Sequence, residues 1–452
     1  CNPCMSLNYN FIWLLCYLLV LVGLAGYGFH RLSIVYLYWK NRNNKPQPKA
    51  RFQELPVVTV QLPMFNEKFV VDRLLESVAA LDYPQDKLEI QILDDSTDDT
   101  TEQCYRKVEE LKSRGFDAVC IHRTDRTGFK AGALEAATKV AKGEFLLILD
   151  ADFVPEPDLL QKTIHFFTDE NVGLVQTRWG HINREYNLLT RIQGMYLDGH
   201  FAMEQTARNR SGRFFTFNGT AGIWRKCVIG DAGGWSHDTL TEDMDLSYRV
   251  QLKGWRFIYL NDVVTPAELP VDMDGFKSQQ HRWTKGSIQV CQKILLDIWR
   301  SNAPLKAKVE ATTHLTCNYS YLLLALLCFL VYPICTQRIP ENETVFMWFV
   351  NVALFFMTSV AVCIFYMSAQ IVVRPKSWWK ELPYLPLLLT LSVGMAVNNA
   401  KAVLEAIFGH QSAFVRTPKY GVDRKEDRRH VSQLKRNGYR ACLLYTSDAA
   451  DE

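Results

Sequence analysis

The chain has 452 residues, 48% of them hydrophobic and 22% charged, enough for one large domain or two modest ones. Its formal net charge of +3 is too small to argue for a nucleic-acid partner. The twelve cysteines show no disulfide framework. Cys16, Cys328, Cys335 and Cys363 lie in apolar runs, where cysteine behaves as a small hydrophobe, and Cys104, Cys120 and Cys227 are scattered. Cys1 and Cys4 form a C-x-x-C with no second pair to complete a zinc site.

The apolar residues crowd into 1–40 and 318–408, which predicts a soluble middle with membrane flanks. Residues 1–40 read as an uncleaved transmembrane anchor: the uncharged run from Phe11 to Phe29 is long enough for a hydrocarbon core of about 30 Å. It lacks the basic front and small-residue cleavage site of a signal peptide. Arg31, Lys40, Arg42, Lys45, Lys49 and Arg51 follow, and by the positive-inside tendency they put the middle of the protein in the cytosol. Residues 41–56, with Pro46, Pro48 and Pro56 among charges, read as a linker.

From Val57 strands and helices alternate. Strands are expected at Val57–Met64, Leu88–Leu93, Ala118–Ile121 and Phe145–Asp150, and helices at Lys68–Leu81, Asp99–Arg114 and Ala131–Ala141. Continuous apolar strands alternating with helices imply an α/β fold with a mostly parallel sheet, whose ligands sit at the carboxyl ends of the strands. This domain is expected over 57–279. Residues 280–301 carry an apolar stripe (Trp283, Ile288, Val290, Ile294, Leu295, Ile298, Trp299) flanked by lysine and arginine, which suits a helix in the membrane interface, and 280–317 is assigned to such helices. Apolar segments recur at Tyr319–Ile334, Val345–Val373 and Leu382–Val397 within a membrane region 318–399, followed by 400–441. The last eleven residues, Cys442 to Glu452, look like the translation of a sequencing-adapter end and are set aside, with the natural C-terminus expected to be missing.

Acidic clusters end the expected strands. Asp150-Ala151-Asp152 puts two carboxylates on the same side of an extended chain, able to hold Mg²⁺ or Mn²⁺ against a diphosphate. A solvated turn is the plain alternative. Pro63, Phe65 and Glu67 close the first strand and Asp94-Asp95 the second, together a candidate nucleoside pocket. Lys130 opens a helix where a phosphate would sit, an end that otherwise disfavours cations. Phe217-Asn218-Gly219-Thr220 suits a close backbone approach to an acceptor sugar. Thr241-Glu242-Asp243 supplies a general base, Asp243, with Glu242 beside it; a helix cap would explain one of these acids but not the combination. Gln279-x-x-Arg282-Trp283 adds a guanidinium fork for phosphate oxygens and a flat face for a sugar ring.

In this order the motifs resemble the processive family-2 glycosyltransferases with a GT-A catalytic fold, and within them the cellulose-synthase-like A and C groups, from about Val57 to Gly421. The strings LDDSTDDT, RTGFKAGAL and Phe414-Val415-Arg416-Thr417-Pro418-Lys419 carry the finer resemblance. It implies an inverting hexosyltransferase that uses UDP-glucose or GDP-mannose with a divalent cation. Asp243 would be the base, Asp150 and Asp152 the metal-nucleotide site, and Gln279, Arg282 and Trp283 the lining of the acceptor end. The acceptor would be a growing β-glycan, with a membrane lipid as the alternative. Residues 414–419 resemble the gating loop, patterned F-x-V-T-x-K in bacterial cellulose synthase, with Thr417 and Lys419 facing the diphosphate; Arg416 replaces the valine. Three spans after a cytosolic domain would put this loop on the far side, unless Leu382–Val397 is re-entrant or interfacial. The adapter-like tail and short N-terminus lean toward a bacterial inner membrane rather than the Golgi.

Overall fold

The computed structural model describes residues 3–336, 349–350, 352–354, 356–410, 417 and 419–422, the side chains of 3–11 and 332–336 excepted. Phe414, Val415, Arg416, Pro418 and the 442–452 tail lie outside the described residues.

Seven strands form one sheet: β1 (Val58–Met64), β2 (Leu88–Asp94), β3 (Asp117–His122), β4 (Phe145–Ile148), β5 (Val172–His181), β6 (Gly222–Arg225) and β7 (Arg256–Ala267). Their order is β3-β2-β1-β4-β6-β5-β7. Only β6 runs antiparallel to its neighbours β4 and β5. Alternate residues of β4 pack on opposite faces. Phe145 and Leu147 join one apolar core with Val60, Leu62, Ile90 and Ile92, while Leu146 and Ile148 join another with Leu134, Trp224 and Tyr259. Burial on both faces is why these strands read as near-continuous apolar runs. The chain winds outward from β1 through β2 to β3, then returns to place β4 on the other side of β1. That reversal opens a crevice at the carboxyl ends of β1 and β4, where Met64 and Asp150 emerge.

The first expected helix begins later than its periodicity implied, at Val71 rather than Lys68. Asn66 takes φ 53° and Val70 N–H donates to the Glu67 carbonyl, so a turn fills the interval. The helix expected from residue 280 is Met273–Arg300, capped by the Asp272 side chain on Gly275 N–H at 2.8 Å. It straddles the expected boundary at 279. Most of its apolar stripe is covered by protein rather than exposed to a bilayer. Val290, Ile294 and Ile298 pack with Tyr248, Ala311 and Leu315, and Ile288 packs with Val403 and Ala406. The exposed apolar residues of this region are others: Leu296, Leu305 and Val309, with Trp299 at the edge of the stripe.

Among the described residues three helices are long and apolar enough to cross a membrane: Ile12–Asn41, Val352–Val373 and Trp378–Ile407. A bent pair, Leu305–Thr316 and Tyr319–Val331, meets the same test jointly at an angle of 51°. The first helix docks on the helix Leu305–Thr316 and on Glu204 of the α/β domain. Tyr27 donates to the Thr316 carbonyl at 2.8 Å, His30 meets Glu310 at 3.0 Å and Arg31 pairs with Glu204. The last apolar segment, expected at Leu382–Val397, belongs to a longer helical run, tied at one end to the α/β domain and at the other to the helix Met273–Arg300. Glu381, fully buried, accepts from Arg191 at 3.0 and 3.2 Å and from Arg374 at 2.8 Å. Glu405 accepts from Lys285 at 3.1 Å and lies 3.4 Å from His281.

Candidate active site

The crevice is walled by the ends of β1 and β4, by the start of the helix Glu242–Leu252, and by one turn of the helix Met273–Arg300. It gathers Pro63, Phe65, Glu67, Asp95, Lys130, Asp150, Asp152, Asn218, Gly219, Glu242, Asp243, Gln279, Arg282, Trp283, Thr417 and Lys419 around one cavity. These residues span the sequence from the first strand to the segment after the last helix.

Both carboxylates of the Asp150-Ala151-Asp152 turn face lysines. Lys130 Nζ lies 2.5 Å from Asp150 Oδ1 and donates to the Gly219 carbonyl at 2.8 Å. Lys419 Nζ lies 2.6 Å from Asp152 Oδ2, which also accepts from Glu268 N–H at 3.2 Å. Burial pulls the Lys130 ammonium toward lower pKa, but the carboxylates of Asp150, Glu242 and Asp243 outweigh it and leave the value raised. Asp150 Oδ2 and Asp152 Oδ1 have no protein hydrogen bond among the described residues. Two hard oxygen donors with a free oxygen each fit Mg²⁺ or Mn²⁺. Among the described residues no cluster of three or more His, Cys, Asp or Glu surrounds a metal position. Nucleotide and water oxygens would complete such a shell, as Mg²⁺ sites commonly require.

Across the crevice Asp243 is the second residue of its helix, half-buried, with Met244 N–H donating to Oδ1 at 2.8 Å. Its carboxyl is pushed up to about 7, first by burial and then by the charge of Glu242, against the opposing pull of that hydrogen bond, Lys130 and Arg282. A carboxylate so tuned is matched to proton transfer near neutral pH. Gly219 lets the backbone pass close by. Its φ is 79°, and a Cβ there would stand 2.9 Å from Asp243 Oδ2. Among the described residues several buried polar atoms of cavity-lining side chains find no hydrogen-bond partner: Asn218 Nδ2, Thr241 Oγ1, Gln279 Oε1 and Thr417 Oγ1. Such atoms are costly to leave unpaired, and they suit a ligand rich in hydroxyl or phosphate oxygens.

Three expected residues do not reach the cavity. Asp94 is fully buried beneath it, held by Thr101 Oγ1 at 2.7 Å, His122 Nδ1 at 2.7 Å and Ser96 N–H at 3.1 Å, so it braces the β2–β3 end instead of meeting a nucleoside. Phe217 packs edge-on against Trp224 in the core, centroids 5.4 Å apart, in the loop that leads into β6. Thr220 accepts Asp150 N–H at 2.9 Å and positions that carboxylate from behind. Asp95 does line the cavity, but Arg123 already grips both its oxygens at 2.8 and 2.6 Å.

Other lining residues escaped the motif reading. Arg126 stacks over the Phe65 ring at 3.5 Å and makes a flat, charged platform at the nucleoside end. Trp179 joins Phe153, Phe201 and Trp283 in an aromatic wall, with centroids 5.1, 4.6 and 6.4 Å away. Glu268 sits beside Asp152. Arg126 and Trp179 follow no acid or glycine signature, and an aromatic residue inside a strand reads as core from sequence alone.

Residues 56–286 match the family described as glycosyltransferase like family 2. The chain belongs to this family. Residues 222–437 of this glycosyltransferase-family chain also match the cellulose synthase family. It is 42% identical over 286 residues to Glucomannan 4-beta-mannosyltransferase 2 of Arabidopsis thaliana, covering 60% of this chain and 53% of that protein. It is 41% identical over 277 residues to Glucomannan 4-beta-mannosyltransferase 1 of Oryza sativa subsp. japonica, again over 60% and 53%. The chain therefore spans about half the length of the curated relatives it matches. Both relatives are plant proteins, and the leaning toward a bacterial membrane finds no support. In fold it is similar to the mannosyltransferase PcManGT from Pyrobaculum calidifontis, solved with GDP-Man and Mn²⁺. The TM-score is 0.62 at 20% identity, over 87% of this chain and 100% of that one. The catalytic fold is GT-A-like.

Proposed function

We propose that the chain is a membrane-embedded, inverting hexosyltransferase that extends a β-linked glycan from a nucleotide sugar. GDP-mannose is the first donor to consider, since both plant relatives are named mannosyltransferases, and UDP-glucose the second. The observation that carries the reading is the placement of Asp243, tuned to about 7, in one cavity with the Asp150–Asp152 turn and Trp283.

In this reading the nucleoside rests against Phe65 and Arg126, and the diphosphate lies among Lys130, Arg282, Thr417 and Lys419. Asp150 and Asp152 would hold a divalent cation, which when bound offsets charge on the departing diphosphate. The acceptor sugar stacks on Trp283, near Asn218 and Gly219. Asp243 takes the proton of the acceptor hydroxyl. The hydroxyl oxygen then bonds to the anomeric carbon as the bond from that carbon to the diphosphate oxygen breaks. A single displacement inverts the centre, so an α-linked donor gives a β-linked product.

The domain organisation follows the same proposal. Residues 1–40 anchor the chain, 57–279 with the following helix form the cytosolic catalytic part, and Tyr319–Thr336 and Val352–Val373 are the later spans. Trp378–Ile407 lies along the catalytic face, so an even number of later crossings brings Thr417 and residues 419–422 back to the site.

The test uses protein in nanodiscs with Mg²⁺ or Mn²⁺ and radiolabelled GDP-mannose or UDP-glucose. Label in an ethanol-insoluble polymer sensitive to β-mannanase or β-glucanase is expected and names the donor. Label only in an organic extract would replace polymer synthesis with transfer to a lipid. No label from either donor would overturn the enzyme reading.

A further inference from the structure

The two lysines on the Asp150–Asp152 turn have different origins. Lys130 belongs to a helix packed on the sheet. Lys419 arrives from a segment that follows the last helix, and that segment is held chiefly by one buried carboxylate. Glu268 Oε1 accepts from Tyr420 N–H at 3.0 Å, and Oε2 accepts from Val422 N–H at 3.2 Å and from Arg73 at 3.4 Å. The Tyr420 and Val422 side chains pack with Tyr186 and Val271. Gly421 sits at φ 68°, and a Cβ there would come 2.7 Å from the Phe69 carbonyl oxygen, so the backbone is seated closely. Residues 420–422 are thus fixed, while the Lys419 side chain reaches to Asp152 at 2.6 Å and to the Glu268 carbonyl at 3.4 Å.

The ammonium sits on Oδ2 of the carboxylate whose free Oδ1 would hold a divalent cation, so two positive charges would share one carboxylate and repel. Without the ammonium, Asp152 and Glu268 would face each other as like charges in a semi-enclosed cavity. Lysine suits a temporary occupant: it is a compact charge on a flexible four-carbon stem and imposes no bidentate geometry. We propose that Lys419 is a built-in stand-in for the divalent cation, neutralising Asp152 in the cation-free site and giving up that carboxylate when the cation binds, while Glu268 keeps its backbone docked within reach of the diphosphate. The inference rests on the reading of Asp150 and Asp152 as the cation site.

Competition of this kind lowers cation affinity until a diphosphate offers the ammonium another partner, so cation and nucleotide bind cooperatively. Couplings of this class are worth about 5- to 150-fold. The test is Mn²⁺ titration by electron paramagnetic resonance, on the full chain in nanodiscs without nucleotide. Lys419→Met is expected to bind Mn²⁺ about tenfold tighter than wild type, and Lys419→Arg close to wild type. A measurement on unmodified protein runs beside it: acetylation of Lys419, read by mass spectrometry, is expected to rise on adding Mn²⁺ alone. Equal or weaker Mn²⁺ binding by Lys419→Met overturns the proposal, as does Lys419 labelling that Mn²⁺ leaves unchanged. Mn²⁺ binding that survives Asp152→Asn intact would instead overturn the cation site itself, and this inference with it.

Discussion

Asp243 ties the chemistry to a titration with a definite sign. Its carboxyl sits at about 7 against an ordinary 3.8, because burial and Glu242 disfavour the charged form. The base must be ionised to accept a proton, so kcat/KM is expected to rise with pH through about 7 and level off above. Asp243→Asn should lower turnover roughly 100- to 10,000-fold, the usual range for a lost general base. Stability moves the other way. The folded protein keeps this proton where the unfolded chain has released it, so the associated stability is whole below 3.8 and lost as pH rises through about 7. Asn escapes that loss. The variant should therefore melt higher than wild type at pH 8, by on the order of 1 kcal/mol after solvent screening, with the gain shrinking toward pH 4. A variant that keeps most of its turnover, or gains nothing at pH 8, would place the base elsewhere. This residue was legible in the sequence because a Thr-Glu-Asp turn ahead of a Gln-x-x-Arg-Trp is an unusual combination. Asp94, expected at the cavity, lies beneath it, and the reason this was not legible is equally physical. A strand-end acid looks the same in sequence whether it points into a crevice or, as here, beneath it to His122 and Thr101.

At the scale of elements, strands β1 to β4 were legible because each is an apolar run between turn residues, and the register of a parallel sheet puts their acidic ends together. The β5–β6–β7 edge was not assigned, since β6 has only four residues and its pairing with β4 and β5 is wholly non-local. The helix Met273–Arg300 shows the limit of periodicity. An apolar stripe beside basic residues fits a membrane interface and a protein core alike, and here most of it is core. The segment Trp378–Tyr384 is held by Glu381, a fully buried carboxylate between Arg191 and Arg374. Removing one partner of a buried pair leaves the others uncompensated, at a local cost of roughly 3–5 kcal/mol. Glu381→Ala is thus expected to speed amide hydrogen exchange in 378–394 while leaving β1 and β2 protected. Unchanged exchange in 378–394 would mean that something other than this ion cluster holds the segment in place.

For the whole molecule the question is on which side of the membrane each piece lies. Counting apolar runs gives three crossings after the catalytic part and strands Thr417 and Lys419 opposite the cavity they line. The proposed arrangement rests on the contacts instead of that count. Glu381 near one end of the run pairs with Arg191 of the α/β domain, and Glu405 near the other pairs with Lys285 of the helix that carries Arg282 and Trp283, which supports a run lying along the catalytic part. Its outward residues, Trp379, Leu387, Val393, Val397 and Phe408, are exposed and apolar, as a helix lying in the interface requires. Hydropathy could not separate the two arrangements, because it measures length and composition and is blind to salt bridges made across 190 residues, such as Arg191 with Glu381. The resulting prediction concerns sidedness. Cys227 is exposed on the catalytic part and provides an internal reference. In vesicles carrying Phe408→Cys, a membrane-impermeant maleimide should label residue 408 and Cys227 from the same side, with peptide-level mass spectrometry as the readout. Labelling of 408 only from the side opposite Cys227 would restore the third crossing. It would also remove Thr417 and Lys419 from the cavity, and with them the proposed contacts of those residues to Asp152 and the diphosphate.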